Sequence, residues 1–242
     1  MQGHYIYGIV SFPPELSGEI LGLGGSTIRL LPRGDVAAVV SWSALKCWPM
    51  DDAHLTLHEA VVEEVMKSRP ILPARFNTVL GTEEAVIGLL DERARDFRLA
   101  LERVRGRVEM GLRVLWEPPG ESEVPADQEI KGRGPGTEYL SRRLKKEWRR
   151  AKLLQAGERL IQELDAPLRS LAIESRLQQF PTNRFLIAGA YLVERHRVDA
   201  FRDGVMKARE CFPRLGFLLT GPWPPYHFVN GAHDGTVHAF AA

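Results

Sequence analysis

The stretch Tyr5-Ile-Tyr-Gly-Ile-Val10 consists almost entirely of β-branched and aromatic residues, and this composition predicts a strand. After a glycine-rich stretch, Ser26–Leu31 and Val36–Ser41 are two further short apolar runs. They are separated by Pro32-Arg-Gly-Asp35, whose residues are typical of a tight turn. The chain is therefore expected to open with a strand followed by a β-hairpin.

Beyond the hairpin the hydrophobic period becomes helical between Asp51 and Pro70, and the proline is expected to end this helix. Residues 71–76 contain a further proline and favour a short extended segment. A second helix is predicted after Thr82, whose hydroxyl suits the N-cap position. Residues 107–116 then alternate with a period of two, as in a half-buried strand. The apolar helical positions are Leu55, Val61, Val62, Val65 and Met66 in the first helix and Val86, Leu89, Leu90, Phe97 and Leu101 in the second.

The order of these elements predicts two α+β domains with antiparallel or mixed sheets and packed helices. The first comprises residues 1–116, and residues 117–136, which are rich in proline and glycine, form a mobile linker. The second domain, residues 137–242, is expected to carry a Pro- and aromatic-rich tail. The whole chain has 242 residues, a length that fits one to two domains at about 150 residues each.

The second domain is predicted to begin with a long helix from Thr137 to Asp165, and Pro167 lies just beyond its end. Residues 168–180 are ambiguous, although the alternation around Ile173 favours a strand. Residues 185–193 are apolar on both faces and predict a central strand. A helix over about 198–208 and a last strand over 215–219 follow. One apolar stripe is expected along the long helix, formed by Leu140, Leu144, Trp148, Ala151, Leu154, Ile161 and Leu164.

The overall charge excludes several classes of protein. Lys and Arg number 32 against 31 Asp and Glu, which leaves a net charge of +1. This balance argues against a nucleic-acid coat protein and against an acidic disordered chain. The longest apolar run, Phe185–Val193, is far shorter than the roughly 20 residues of a membrane span. The first residues do not resemble a signal peptide. Cys47 and Cys211 are the only two cysteines, and we expect both to be reduced and partly buried. These observations favour a cytoplasmic location.

Motifs for catalysis or for cofactor binding are weak. His54 and His58 stand four residues apart on a predicted helix, but a zinc site needs a third ligand, so a structural or solvent-facing role is favoured. The stretch Gly22–Thr27 lacks the lysine of a phosphate-binding loop and is expected to be a flexible connection. We find no nucleophile elbow and no local cysteine-protease signature. The sequence therefore predicts no catalytic residue, no cofactor and no metal.

The segment 142–152 carries seven cations and one carboxylate. As part of a helix it indicates either a solvated face or a contact with RNA, with lipid head groups or with an acidic protein. Trp148 is its single aromatic residue, which disfavours nucleic acid, whereas an acidic protein partner stays open.

The most unusual segment is Thr220-Gly-Pro-Trp-Pro-Pro-Tyr-His-Phe-Val229. Its prolines disfavour both a helix and a regular ladder, and they would stiffen the backbone that carries Trp223, Tyr226 and Phe228. Rigid aromatic residues suit the anchor of an interface. The alternative is a tail that folds back into the core of its own domain, and the residues alone do not decide between the two.

Five blocks of the sequence together carry a family resemblance: Tyr5–Val10, His58-Glu-x-Val-Val62, Ile71-Leu-Pro-Ala-Arg-Phe-x-Thr-Val79, Asn183 with Ile187–Val193, and Gly221–Val229. They are similar to the gas vesicle accessory proteins of the F/L family (GvpF/GvpL). The Gly-Pro-Trp-Pro-Pro-Tyr motif is the most specific of them. One departure is His227, where the family usually has serine, and no effect is expected from it.

The resemblance implies two α+β domains, at least one of them ferredoxin-like, and a non-enzymatic role in the assembly of gas vesicles. Its implied partners are the small hydrophobic shell protein (gas vesicle protein A) and other accessory proteins. Trp223, Tyr226 and Phe228 are then the candidate partner-binding residues, and Arg75 and Phe76 are expected to be structural. A rival hypothesis is a minor structural component that is retained in the gas vesicle. A less favoured one is a surface-binding module that uses the basic helix.

Overall fold

The structure is a computed structural model that describes residues 3–12, 19–44, 47–116, 135–180 and 185–229. Helices and antiparallel sheets are combined in two sheet groups, which confirms the predicted α+β class. Most of the expected linker, residues 117–134, lies outside the described residues. The chain folds into two compact units, and each is described separately below.

The first unit contains the predicted strand and hairpin. Strand β1 (Gly3–Ser11) lies between β3 (Val36–Ser43) and the short β4 (Ile71–Pro73), and β2 (Arg29–Arg33) forms the edge beside β3. A two-residue strand, β5 (Val79–Leu80), also pairs with β1. All of these pairings are antiparallel. The sheet therefore has the order β2-β3-β1-β4.

Two helices cover opposite faces of this sheet: α1 (Asp52–Ser68) and α2 (Glu83–Val104). Ile6 is paired with Val40, and both belong to the apolar cluster that contains Val86, Leu90 and Phe97 of α2. Tyr5 is the preceding residue of β1 and points to the other face, where its hydroxyl bonds to His58 of α1. Thr82 caps α2 as predicted, because its hydroxyl accepts a hydrogen bond from the backbone of Ala85 at 3.2 Å.

The glycine-rich stretch before the hairpin is packed against the first unit, whereas the sequence predicted a flexible connection. Leu23 is 1% exposed, and its backbone N–H donates to the hydroxyl of Tyr7 at 2.8 Å. Gly24 has a φ of 67°, in the left-handed region that favours glycine. A Cβ at this position would lie 2.9 Å from the ring of Trp48, so the glycine also permits a close aromatic contact.

The second unit is built from β6 (Arg107–Trp116), α3 (Pro135–Arg169), β7 (Glu174–Phe180), β8 (Phe185–Glu194), α4 (Val198–Cys211) and β9 (Leu215–Trp223). The strand order is β7-β8-β6-β9, so β8 is an interior strand as its apolar sequence predicts. Strand, helix, strand, strand, helix and strand follow one another along the chain. Tyr191 and Phe201 are fully buried in its core, with ring centroids 5.0 Å apart.

The long helix α3 differs from its prediction at both its end and its faces. It continues through Pro167 to Arg169, because Leu164 and Leu168, 1% and 0% exposed, bury its last turns, and Asp165 pairs with Arg169 at 2.9 Å. Leu144 was expected to lie on the same stripe as Leu164, but it is 56% exposed. The single apolar stripe was therefore a wrong prediction.

The division of the chain also differs from the expected boundaries at 116 and 137. Among the described residues, one unit runs to Glu109 and includes residues 221–229, and the other is Met110–Thr220. The physical reason is strand pairing: β6 was assigned by sequence to the first domain but belongs to the sheet of β7, β8 and β9. Residues 221–229 in turn contribute to the first unit.

Candidate functional site

The segment Gly221–Val229, called the C-terminal segment below, is part of the first unit. Pro224 and Pro225 are buried, Phe228 is 0% exposed, and Val229 lies in the same apolar cluster as the residues of α2. The segment therefore does fill a core. That core belongs to the first unit, although the sequence placed the tail in the second domain.

The three aromatic candidates have different environments. Trp223, at the end of β9, is 40% exposed, and Tyr226 is half-buried. Phe228 is fully enclosed and has no surface to offer a partner, so its role is that of a core residue. The physical reason is the turn Tyr226–Phe228, which directs successive side chains to different sides of the segment.

Glu109 fixes the position of this turn. Its carboxylate is 5% exposed and accepts the backbone N–H of His227 at 2.8 Å, while its second oxygen lies 2.6 Å from Nδ1 of the same histidine. Sequence reasoning missed Glu109 altogether, and it expected His227 to be without effect. Alternation in β6 groups Glu109 with Arg107 and Arg113 on the polar side of the strand, so the sequence gives no signal that its carboxylate is buried.

Replacing Glu109 by alanine should lower the free energy of unfolding by about 1–3 kcal/mol, because the backbone N–H of His227 loses its acceptor. Denaturant unfolding of both proteins measures this loss. His227→Ser is the matched control, since it keeps the backbone donor and removes only a side chain that is 56% exposed. Equal stability of Glu109→Ala and the unsubstituted protein would contradict the assigned role.

Tyr226 meets the acidic face of α1. Its hydroxyl oxygen is buried, and no described residue supplies it with a hydrogen-bond partner. Burial raises the pKa of this phenol above its usual value, and the nearby Glu59, Tyr5, Glu63 and Glu109 raise it further. Burial and then the neighbouring Glu63 also raise the pKa of Glu59. The surface beside Tyr226 thus combines an aromatic ring with carboxylates.

Behind this surface, His58 is bonded within the core, 2% exposed. Tyr5 receives the backbone N–H of Asn77 at 2.9 Å, so its own proton is directed to Nδ1 of His58 at 3.0 Å. Nε2 of His58 then carries the ring proton and donates it to the carbonyl of Ala74 at 3.2 Å. The sequence favoured a structural or a solvent-facing role for His58, and the structure shows the structural one. Phe76 packs edge-on against this ring, with centroids 5.8 Å apart.

The remaining candidates do not assemble into a catalytic or metal site. His54 bonds to Asp51 at 2.7 Å. Within the described ranges, no group of three or more His, Cys, Asp or Glu side chains is placed to hold a metal ion. Cys47 and Cys211 are free, and both are exposed, although partial burial was expected. In the same part of the chain, no helix has the length and apolar character needed to cross a membrane.

Comparison with known proteins identifies the family. The family model described as "Gas vesicle synthesis protein GvpL/GvpF" matches residues 3–230. The chain belongs to this GvpL/GvpF family. Gas vesicle protein L of a Streptomyces species is 32% identical over 256 residues, covering 95% of this chain and 94% of the relative. Gas vesicle protein F1 of Halobacterium salinarum is 25% identical over 230 residues, covering 93% of this chain and 92% of the relative.

Solved structures of the GvpL/GvpF family share the fold. The crystal structure of GvpF from an Anabaena species aligns with a TM-score of 0.79 and 23% identity, covering 98% of this chain and all (100%) of that one. GvpF from Microcystis aeruginosa also gives 0.79, with 21% identity and coverage of 94% and 99%. The F/L resemblance and the two-sheet α+β class are thereby confirmed.

Proposed function

We propose that this protein is a non-enzymatic accessory factor of gas vesicle assembly, which binds the shell subunit, gas vesicle protein A, and other accessory proteins during nucleation. Membership of a family of gas vesicle synthesis proteins supports a role in gas vesicle assembly. A subunit that polymerises into a shell exposes apolar surface before assembly, and a binding partner that covers this surface prevents premature aggregation.

The observation that carries the proposal is the exposure of Trp223 on a segment whose other parts are fixed. Trp223 is 40% exposed, while the neighbouring Pro224 and Pro225 and the nearby Phe228 are buried. A large aromatic side chain on an already ordered backbone loses little conformational freedom on binding. Trp223 is therefore the proposed anchor, and the half-buried Tyr226 lies in the same segment.

The first test is capture of purified shell subunit by the full chain and by the variant Trp223→Ala. We expect the variant to retain its fold and to lose at least about tenfold in affinity, as truncation of a central aromatic anchor does. Trp42→Ala is the matched control, because Trp42 is a comparably exposed tryptophan of the same unit, 46% against 40%. Circular dichroism and thermal unfolding verify that both variants are folded.

Unchanged capture by folded Trp223→Ala, or an equal loss in Trp42→Ala, would overturn the role of Trp223 as an anchor.

Washing isolated gas vesicles and probing for the protein distinguishes a transient accessory factor from a structural component. An accessory factor that acts transiently should be removed by washing, whereas retention at a fixed ratio to the shell subunit would favour a structural component.

A further inference from the structure

Strand β9, whose residues up to Thr220 belong to the second unit, forms one edge of the sheet there. One side of β9 pairs with β6, and no described strand pairs with its other side. The stretch Leu215–Thr220, called the β9 edge below, contains neither a charged side chain nor a proline. The backbone N–H and C=O groups along such an edge are a template for a further strand.

Other edge strands of the described sheets are protected against such pairing. In β2, Pro32 is flanked by Arg29 and Arg33, which pair with carboxylates of α2 at 3.2 and 2.6 Å. The strands β4 and β5 are only three and two residues long. The strand β7 carries Glu174 and Arg176. Charge, proline and short length are the usual means of keeping an edge strand unpaired, and the β9 edge has none of them.

Apolar side chains lie beside the β9 edge and are exposed. Leu218 is 53% exposed, and Leu115 of the adjacent strand β6 is 45% exposed. A Cβ at Gly216 would lie 3.4 Å from the Cβ of Leu115, so these two positions are neighbours on one face of the sheet. Leu218 is two residues beyond Gly216 and therefore points to the same face. A further strand beside β9 would cover part of this apolar surface.

We infer that the β9 edge pairs with the β9 edge of a second copy of this chain, so that two sheets join into one. Proline has no N–H, so the stretch that can pair lies between Pro213 and Pro222, with Leu218 near its middle. Two antiparallel copies centred on Leu218 place Gly216 opposite Thr220, and small residues then face one another. This pairing is isologous, as in most protein dimers.

Charge and hydrogen bonding favour a second copy over other occupants. The β9 edge is uncharged and the whole chain has a net charge of +1, so two copies approach each other with little electrostatic repulsion. A charged partner segment would find no ion pair within this edge. The apolar Leu218 and Leu115 are present in both copies, and burying them in the interface stabilises the dimer.

Sedimentation equilibrium of the full chain over a range of concentrations measures the dimer. We expect Leu218→Lys to raise the dissociation constant at least about tenfold, because each copy then places a cation opposite the same cation. Met206→Lys is the matched control, since Met206 lies on α4 in the same unit and is 56% exposed against 53% for Leu218. The control should stay within about twofold of the unsubstituted chain. Circular dichroism verifies that both variants are folded.

Disulfide cross-linking tests the register. In a Cys47→Ser/Cys211→Ser background, Leu218→Cys should give a covalent dimer when oxidised glutathione is added. Residues directly opposite each other in an antiparallel pair have Cα atoms about 4.5–5.5 Å apart, which is within the range of a disulfide. Met206→Cys in the same background should give no covalent dimer.

A chain that stays monomeric at every concentration would overturn the inference. So would a dimer that Leu218→Lys does not weaken, or one that Leu218→Cys does not cross-link. If the unsubstituted chain is monomeric and Leu218→Lys abolishes its capture of the shell subunit, the β9 edge binds that subunit and not a second copy. The dimer measurements need no shell subunit, so this inference and the proposed function can fail separately.

Discussion

Phe228→Ala should lower the free energy of unfolding of the first unit by about 3–5 kcal/mol, the range for truncating a buried phenylalanine. Phe228 is 0% exposed and is followed by Val229, which joins the apolar cluster of Ile6, Val86 and Leu90. The loss includes both the transfer of the ring and the cavity that it leaves, because neighbouring β-strands constrain the collapse of the site. Denaturant unfolding followed by tryptophan fluorescence measures the change.

The comparison with Phe12→Ala makes this prediction specific. Phe12 is 37% exposed, so the same chemical change should cost well under 1.5 kcal/mol there, about half of the smallest loss expected at Phe228. A second measurement is limited proteolysis, in which cleavage within the C-terminal segment should become faster in Phe228→Ala. If the two phenylalanine variants unfold at the same denaturant concentration, the segment is not an integral part of the core.

Local signals in the sequence predicted most individual elements of this protein. The hairpin of β2 and β3 was predicted because turn residues separate two β-branched runs, and Thr82 was identified because an N-cap depends on one side chain and the next turn. A structural or solvent-facing role was favoured for His58 because no third ligand accompanied it. Each of these predictions depends on residues within a few positions of one another.

Which sheet a strand joins is not a local property. The alternation in β6 is equally compatible with either sheet, and the pairing that places it beside β8 and β9 depends on residues more than 60 positions away. The same limit applies to Phe228, because an aromatic side chain suits a surface anchor as well as a core. The full burial of Phe228 and the hydrogen bond that the backbone N–H of His227 donates to Glu109, 118 residues away, identify it as a core residue. The prediction of a single apolar stripe along α3 was wrong because, at 3.6 residues per turn, apolar residues far apart in the helix lie on different faces.

The buried histidine should make the first unit sensitive to acid. His58 is bonded on both ring nitrogens, and its ring lies against Tyr7 at a centroid distance of 5.5 Å. Burial lowers the pKa of His58 to about 4, against the opposing effect of its bond to the carbonyl of Ala74. Protonation at Nδ1 would also remove the acceptor for the hydroxyl proton of Tyr5.

His58→Gln therefore should change the pH dependence of stability as well as its level. In the unfolded chain an ordinary histidine binds a proton below about pH 6.5, whereas folded His58 does so only below about 4. Stability contributed by neutral His58 is thus present above pH 6.5 and is lost as the pH falls towards 4, by about 2–3 kcal/mol at pH 4.5. The difference in unfolding free energy between the unsubstituted protein and His58→Gln should shrink by this amount between pH 7.5 and pH 4.5, as measured by denaturant unfolding at each pH. A constant difference for His58→Gln across this range would show that folded His58 takes up a proton as readily as the unfolded chain does, and it would contradict the burial of the neutral ring and its bond to Tyr5.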